Sequence, residues 1–186
     1  MLEFAVMPSM RFLWSAGPAA EKDNTVIYNC SFAKLNCVEA FAECLHILMC
    51  GTGFGFSVEE DEVSKLPSIP EIKSGKDIVR EVIDDSREGW ADSVKTLMTS
   101  LYDGQNLYFD YSQLRPEGAR LSTMGGRSSG PQPLIKLHDF IRETMHNAQG
   151  RKLTSLECHD IANQIAEIVV AGGVRRSSQI SLSDLN

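Results

Sequence analysis

The sequence predicts an α/β fold, and three of its features carry that prediction. Stretches rich in β-branched and aromatic residues read as strands. Stretches whose apolar residues recur every three or four positions read as helices. The predicted order is strand, helix, strand, insert, strand, helix, helix, strand, which is typical of an α/β domain. With 186 residues, 42% of them hydrophobic, the chain is long enough to bury a sizeable core.

The charge balance excludes some partners. The chain carries a net charge of −7 and lacks a basic stripe, so neither general nucleic-acid binding nor binding to an acidic membrane surface is expected. No apolar run reaches the roughly 18 residues that a membrane span needs. The first residues lack the basic region and cleavage site of a signal peptide. A cytoplasmic protein is therefore expected.

The cysteines do not form a recognisable metal or disulfide pattern. Their number is odd and no two of them stand two residues apart, so no zinc site and no disulfide framework are predicted. Reduced thiols, mostly in the core, are the general expectation. The five cysteines are Cys30, Cys37, Cys44, Cys50 and Cys158.

The first third of the chain contains two predicted strands and one predicted helix. Residues 1–35 read as irregular and extended, with a strand at 26–32. A helix follows at 38–49, with Asn36 as its cap, and its apolar periodicity puts Cys37 and Cys44 on one buried stripe. The glycines of the stretch CGTGFGFSV then end the helix and lead into a strand.

That glycine stretch has two interpretations. It is not a dinucleotide-binding fingerprint, since that motif lies between a strand and a helix, whereas here a helix precedes the glycines. One interpretation is a helix end followed by a tight turn. The other is a backbone surface that lies close to a ligand.

The middle of the chain reads as an insert. Residues 59–75 are charged and form a predicted surface connection. Residues 77–102 predict one amphipathic helix or two, with a break at Gly89. Residues 106–114 predict a strand.

The last third begins with a second glycine-rich loop. The loop ends at Pro131 and Pro133, which suit the first turn of a helix. Ser128 to Gly130, just before that helix, read either as a plain cap or as an anion site at a helix N-terminus. Thr154 and Glu157 predict a capping box for the last helix, which buries Cys158 and ends at Gly172 and Gly173.

Two features carry candidate chemistry. Cys30 lies in a short predicted strand between polar neighbours, which suits a reachable thiol, although a buried bystander is the alternative. Arg175 and Arg176 follow a helix end, where cations are favourable for structural reasons alone. Guanidinium groups on a glycine-hinged loop also suit binding to a phosphate or stacking on a base. The residues themselves indicate a phosphorylated ligand but do not identify it.

Four motifs in register resemble one family. YNCSF, CGTGFGFSV, GGRSSGPQPL and GGVRRSSQISL, in this order, resemble the large chain of ribonucleotide reductases. The resemblance is to adenosylcobalamin-dependent (class II) ribonucleoside-triphosphate reductases of the monomeric type. It implies the N-terminal part of a ten-stranded α/β barrel with a helical insertion. The expected parts are a first strand, helix and glycine turn (1–58), the insertion (59–115), and the loop, helices and specificity loop (116–186).

The resemblance also implies roles for individual residues. Cys30 matches the first thiol of the pair that reduces the ribose, while Asn29 and the backbone at Gly51 and Gly53 match positions that line the substrate. A specificity loop between the effector and the substrate base is implied for the closing motif. Its residues are Gly173, Val174, Arg175, Arg176 and Ser177.

The implied partners are a ribonucleoside triphosphate, a deoxynucleotide effector and a thioredoxin-like reductant. Adenosylcobalamin is the implied cofactor, although no segment of the chain is identified that would bind it. The second reducing cysteine and the radical-bearing loop are likewise not identified. A partial reductase, inactive without a missing C-terminal part, is therefore expected. The alternatives are a non-catalytic, deoxynucleotide-binding regulatory fragment and an unrelated structural domain.

Overall fold

The computed structural model describes residues 7–72, 80–121, 126–169 and 177–185. The helices and strands alternate irregularly along these ranges. The helices are α1 (Met10–Ser15), α2 (Pro18–Lys22), α3 (Val38–Met49), α4 (Glu60–Val63), α5 (Arg87–Tyr102), α6 (Gln132–Asn147) and α7 (Ser155–Ile168). The strands are β1 (Cys30–Lys34), β2 (Gly53–Ser57), β3 (Arg80–Val82), β4 (Tyr108–Asp110) and β5 (Gln179–Leu182).

Two parallel sheets organise the described chain. The larger sheet has the order β1-β2-β5, with every neighbouring pair parallel. The smaller one pairs β3 with β4, also in parallel. Parallel neighbours need a crossover connection, and α3 provides it between β1 and β2. The predicted α/β class is confirmed.

Helix α3 lies at the centre of the core. Most of its apolar residues are buried, and the helix packs against α5 and α7. Buried residues between Leu35 and Val169 join in one hydrophobic cluster. The expected cap was wrong, since Cys37 holds the N-cap position and Asn36 instead donates a hydrogen bond to Glu62 at 2.8 Å.

The N-terminal region is more helical than the sequence predicts. Residues 1–35 were expected to be irregular, but α1, α2 and a 3₁₀ turn at Asn24–Ile27 occupy much of the described part. The Ser9 hydroxyl accepts a hydrogen bond from the Phe12 amide and starts α1, while Pro18 opens α2. The predicted strand at 26–32 begins only at Cys30, because Val26 and Ile27 belong to the 3₁₀ turn.

The insert also differs from its prediction. A short helix, α4, interrupts the expected surface connection at 59–75. Within 77–102, residues Arg80–Val82 form strand β3 rather than helix. Gly89 was expected to break the helical segment, but it lies inside the first turn of α5, where its amide donates to the Ser86 hydroxyl.

Helices α6 and α7 lie close to their predicted positions. Proline at the start of α6 and the capping box of Thr154 and Glu157 at the start of α7 are both confirmed. The strand predicted at 106–114 is confirmed in its centre as β4.

A buried histidine joins α5, α6 and the chain after β4. The His138 ring is fully buried, with Nε2 3.0 Å from the Ser93 hydroxyl and Nδ1 2.8 Å from the Tyr111 hydroxyl. Since the Ser93 hydroxyl donates to the Trp90 carbonyl, His138 Nε2–H donates to Ser93 and Tyr111 donates to Nδ1. These bonds satisfy the neutral ring. Burial, with the Arg142 charge nearby, lowers the pKa of His138 to about 3.

We expect His138 to make folding stability depend on pH between about pH 5 and pH 7. Below pH 6.5, the ordinary pKa of histidine, His138 is protonated in the unfolded chain but stays neutral in the folded chain. Folding stability therefore falls as pH decreases. The decrease should reach about 1.4 kcal/mol per pH unit. Chemical denaturation between pH 7 and about pH 5 measures it, above the range where the carboxylates protonate. His138→Gln should flatten the slope.

Candidate functional site

The larger sheet brings three chain segments together at one edge. Because β1, β2 and β5 run parallel, all three strands start at the same edge, which we call the strand-start edge. The Gly53 amide donates to the Asn29 carbonyl at 2.9 Å, and the Phe54 amide donates to the Ser178 carbonyl at 2.9 Å. Cys30 is paired in register with Gly53. Cys30, Gly53 and Ser178 therefore lie side by side.

One face of this sheet is open and has glycines at its centre. Cys30 and Phe32 lie on it from β1, Gly53 and Gly55 from β2, and Ile180 from β5. Phe32 is 55% exposed and Ile180 is 69% exposed. A Cβ atom at Gly55 would lie 3.2 Å from the Phe32 ring, and one at Gly53 would lie 3.4 Å from the Asn29 carbonyl oxygen. The missing side chains leave a shallow surface, the glycine face, next to the Cys30 thiol.

The opposite face holds the sheet rigidly. Phe54 and Phe56 are buried in the core with α3 and α7. The side-chain amide of Gln179 (Nε2) donates to the Ala162 carbonyl of α7 at 3.1 Å and to the Cys44 sulfur of α3 at 3.4 Å. A packed core has few alternative arrangements, so the strand-start edge is held in place from behind.

Gly51 and Gly53 have different surroundings. Gly51 has φ +74° at the end of α3, and a Cβ there would lie 3.3 Å from the Arg11 guanidinium. This is the geometry of a helix end, with Arg11 Nη2 donating to the Cys50 carbonyl at 3.1 Å. Gly53 lies on the glycine face instead. The helix-end interpretation thus holds at Gly51, whereas a role of either glycine in lining a ligand stays a prediction.

The thiols fall into two classes. Cys30 and Cys37 are exposed, whereas Cys44, Cys50 and Cys158 are buried. The prediction of a buried Cys37 was wrong, because the extended N-cap backbone precedes the helix and does not follow its periodicity. Burial raises the pKa of the Cys158 thiol to about 12 and raises that of Cys44 further.

We expect thiol reactivity to follow this division. In the native protein a chromogenic disulfide reagent at neutral pH should modify two of the five cysteines quickly. Cys30→Ser and Cys37→Ser should each remove one fast equivalent, and the remaining three thiols should react only in denaturant. A third fast thiol in the native protein would contradict the structure.

The predicted specificity loop is described only at its end. Gly173, Val174, Arg175 and Arg176 lie outside the described residues. Ser177 is half-buried and precedes Ser178 at the strand-start edge. The loop's described end therefore adjoins Gly53.

The structure also contains a polar cluster that the sequence analysis did not predict. Asp23, His46 and Cys50 bring a carboxylate oxygen, a ring nitrogen and a sulfur together, with Arg87 beside them. The four residues come from three separate stretches of the chain, so their approach is a tertiary feature. The available signal was the spacing of His46 and Cys50, four residues apart and thus on one helix face.

Comparison with a solved structure defines the class of this fold. The chain matches the crystal structure of a B12-dependent (class II) ribonucleotide reductase with a TM-score of 0.83 and 26% identity. The match covers 96% of this chain and 32% of that structure. The described architecture is thus that of part of a ribonucleotide reductase barrel.

Sequence comparisons give the family. A sequence profile of the insertion domain of B12-dependent ribonucleotide reductases matches residues 59–145. The adenosylcobalamin-dependent ribonucleoside-triphosphate reductase of Euglena gracilis is 32% identical over 99% of this chain and 26% of its own length. That of Lactobacillus gasseri is 28% identical over 98% of this chain and 32% of its own length. The chain belongs to the B12-dependent ribonucleotide reductase family, and it spans about a quarter to a third of the length of these relatives.

None of the helices in the described ranges combines the length and apolar character that a membrane crossing requires.

Proposed function

We propose that this chain supplies a reducing thiol and the end of an effector-sensing loop to a ribonucleoside-triphosphate reductase. In the proposed reaction Cys30 and a second thiol lose two hydrogen atoms and form a disulfide. The ribonucleotide loses its 2′-hydroxyl as water, and hydrogen takes its place. A thioredoxin-like protein would then reduce the disulfide.

One observation carries this proposal. The exposed Cys30 lies beside Gly53 and Ser178, on an open sheet face without side chains at Gly53 and Gly55. A ribose approaching a thiol needs a surface that leaves room for it, and glycine permits that approach. Asn29 and the backbone at Gly53 would line the nucleotide. Arg175 and Arg176 of the segment from Gly173 to Ser177 are the proposed groups for phosphate or base.

The second thiol is proposed to come from another part of the reductase. Cys44, Cys50 and Cys158 are buried. Cys37 lies beyond the far end of β1, at least about 13 Å from Cys30 along the strand direction. No other cysteine of this chain is therefore placed to pair with Cys30.

The proposal assigns no residue to adenosylcobalamin. The relatives are named as dependent on this cofactor, but the described residues do not identify a segment that would hold a corrin ring. No step above passes through it. A cytoplasmic location, a deoxynucleotide effector and the three-part division at residues 58 and 115 belong to the same proposal.

A chimeric reductase tests the catalytic proposal. In it, this chain replaces the matching segment of the Euglena gracilis reductase. With a ribonucleoside triphosphate, adenosylcobalamin and dithiothreitol, it should form the deoxynucleotide, while the isolated chain should not. A folded chimera that forms no deoxynucleotide would contradict the proposal.

A non-catalytic, deoxynucleotide-binding role is the second candidate. It is favoured by the single exposed thiol at the strand-start edge, because binding needs no second thiol. Titration of the chain with dATP, dGTP and dTTP separates the two roles. Binding by the chain together with an inactive but folded chimera supports this second role.

A further inference from the structure

The cluster of Asp23, His46 and Cys50 lies away from the glycine face, among α2, α3 and the start of α5. The Asp23 Oδ2 atom is 3.0 Å from His46 Nε2 and 3.1 Å from Cys50 Sγ. The sulfur and the ring nitrogen are 3.6 Å apart. Three different ligand types thus converge on one point.

We infer that Asp23, His46 and Cys50 form a binding site for a divalent transition-metal ion of the class that Zn²⁺ represents. The sequence predicts no zinc site because it contains no closely spaced cysteine pair. The structure brings one sulfur, one nitrogen and one oxygen ligand together from two parts of the chain. Zinc binds these three ligand types, and sites with three protein ligands keep a fourth position for water.

The distances fit tetrahedral coordination. From ordinary zinc bond lengths, the edges between two ligand atoms are about 3.3 Å for nitrogen and oxygen and about 3.6 Å when sulfur is included. The two separations that involve His46 Nε2, 3.0 and 3.6 Å, differ from these by no more than about 0.3 Å. The separation of 3.1 Å between Asp23 Oδ2 and Cys50 Sγ is about 0.5 Å shorter than the tetrahedral edge. Small side-chain rotations would therefore admit the ion.

Neighbouring groups orient two of these ligands. The Thr25 amide donates to the other Asp23 oxygen at 2.9 Å, which fixes the carboxylate plane. Arg87 Nη1 donates to Cys50 Sγ at 3.1 Å. That hydrogen bond would stabilise the thiolate when the metal replaces the thiol proton, which leaves to solvent. Partners of this kind around the ligands strengthen metal sites.

A charged groove adjoins the cluster at His46. The groove has a volume of about 290 Å³ and lies between α3 and α5. Four carboxylates line it, together with Lys95, which pairs with Glu39 at 3.2 Å. The net negative charge would attract a cation to this side of His46. The carboxylates are those of Glu39, Glu43, Glu88 and Asp92.

The position of the cluster gives the ion a structural consequence. Asp23 lies seven residues before Cys30, and Cys50 lies three residues before Gly53. A metal ion bound by both would tie the chain segments that lead into β1 and β2. It would stabilise the strand-start edge without contacting the glycine face, so this inference stands independently of the proposed function.

Metal titration tests the site. The full chain carries Cys30→Ser and Cys37→Ser to remove the exposed thiols, and is treated with a chelator before use. It should then bind about one equivalent of Zn²⁺ in competition with a chromophoric chelator. Co²⁺ should give a thiolate charge-transfer band. Cys50→Ser should remove the band, and both Cys50→Ser and His46→Gln should weaken Zn²⁺ binding by about 100-fold.

Matched controls separate a site from general effects. Cys158→Ser, which alters another buried thiol, and His159→Gln, which alters a half-buried ring outside the cluster, should leave the affinity unchanged. Circular dichroism reports whether each variant folds. If Cys50→Ser does not fold, His46→Gln, which alters a half-buried side chain, tests the site instead. No Zn²⁺ binding by the folded parent, or affinity unchanged in folded His46→Gln, would overturn the inference.

Discussion

Replacing Cys30 with serine should abolish deoxynucleotide formation by the chimeric reductase. A serine hydroxyl does not form the disulfide that the two-electron reduction requires, so turnover should fall by about 1,000-fold or more. The change is nearly isosteric and lies on an exposed position, so folding should be unaffected. Product formation by chromatography and unfolding by denaturant measure the two effects.

Cys37→Ser is the matched control for this variant. Cys37 is also exposed, and it occupies the N-cap of α3, where serine is a better cap than cysteine. Turnover should therefore be unchanged, and stability should be equal or slightly higher. The assignment of Cys30 fails if Cys37→Ser loses turnover and Cys30→Ser retains it.

A second measurement examines Cys30 without turnover. In the isolated chain carrying Cys37→Ser, Cys30 is the remaining exposed thiol. A bound ribonucleoside triphosphate should slow its modification by a thiol reagent, since the nucleotide would lie on the glycine face. If saturating nucleotide leaves the rate of Cys30 modification unchanged, the nucleotide does not bind on the glycine face.

Replacing Gly89 with alanine should destabilise the protein, against the usual trend. Inside a helix, alanine is ordinarily more favourable than glycine by about 1 kcal/mol. At Gly89 a Cβ atom would lie 2.3 Å from the backbone carbonyl oxygen of Asp84. The obstacle is backbone rather than a flexible side chain, so the first turn of α5 or the segment after β3 must shift. We expect a loss of about 3 kcal/mol in the free energy of unfolding.

Thr99→Ala provides the comparison on the same helix. Thr99 is exposed in α5, so the substitution should change stability by no more than about 0.5 kcal/mol. Equilibrium denaturation of both variants gives the difference. A Gly89→Ala protein as stable as the parent would show that the chain before α5 does not fold back over its first turn.

Much of the helical structure could be predicted because its signals are local. Helix α3 has apolar residues at helical spacing, α6 has prolines at its start, and α7 has the capping box of Thr154 and Glu157. Each signal acts within a few residues of sequence, so no distant partner is needed to interpret it. For Cys30 the local surroundings left a reachable thiol and a buried bystander open, and the structure shows an exposed thiol.

Three predictions failed, each for its own physical reason. The β3 strand was read as helix, because three residues carry no decisive periodicity and their state depends on pairing with β4. Gly89 was predicted to break the helix, because glycine disfavours helices in general. The structure gives another reason for this glycine: Asp84 folds back over the first turn of α5 and leaves no room for a Cβ atom. Cys37 was placed in the core because its spacing matched a helix that begins one residue later.

The sequence by itself determined the α/β class and the main helices, since these depend on composition and short-range periodicity. Only the tertiary structure decided that the Cys30 thiol is exposed and what lies next to it. Parallel pairing of β1, β2 and β5 brings Gly53 and Ser178 to Cys30, although 125 residues separate Gly53 from Ser178. The packing of α3 against its neighbours likewise brings Asp23 to His46 and Cys50. Such contacts depend on burial and strand pairing across the whole fold, which no short stretch of sequence specifies.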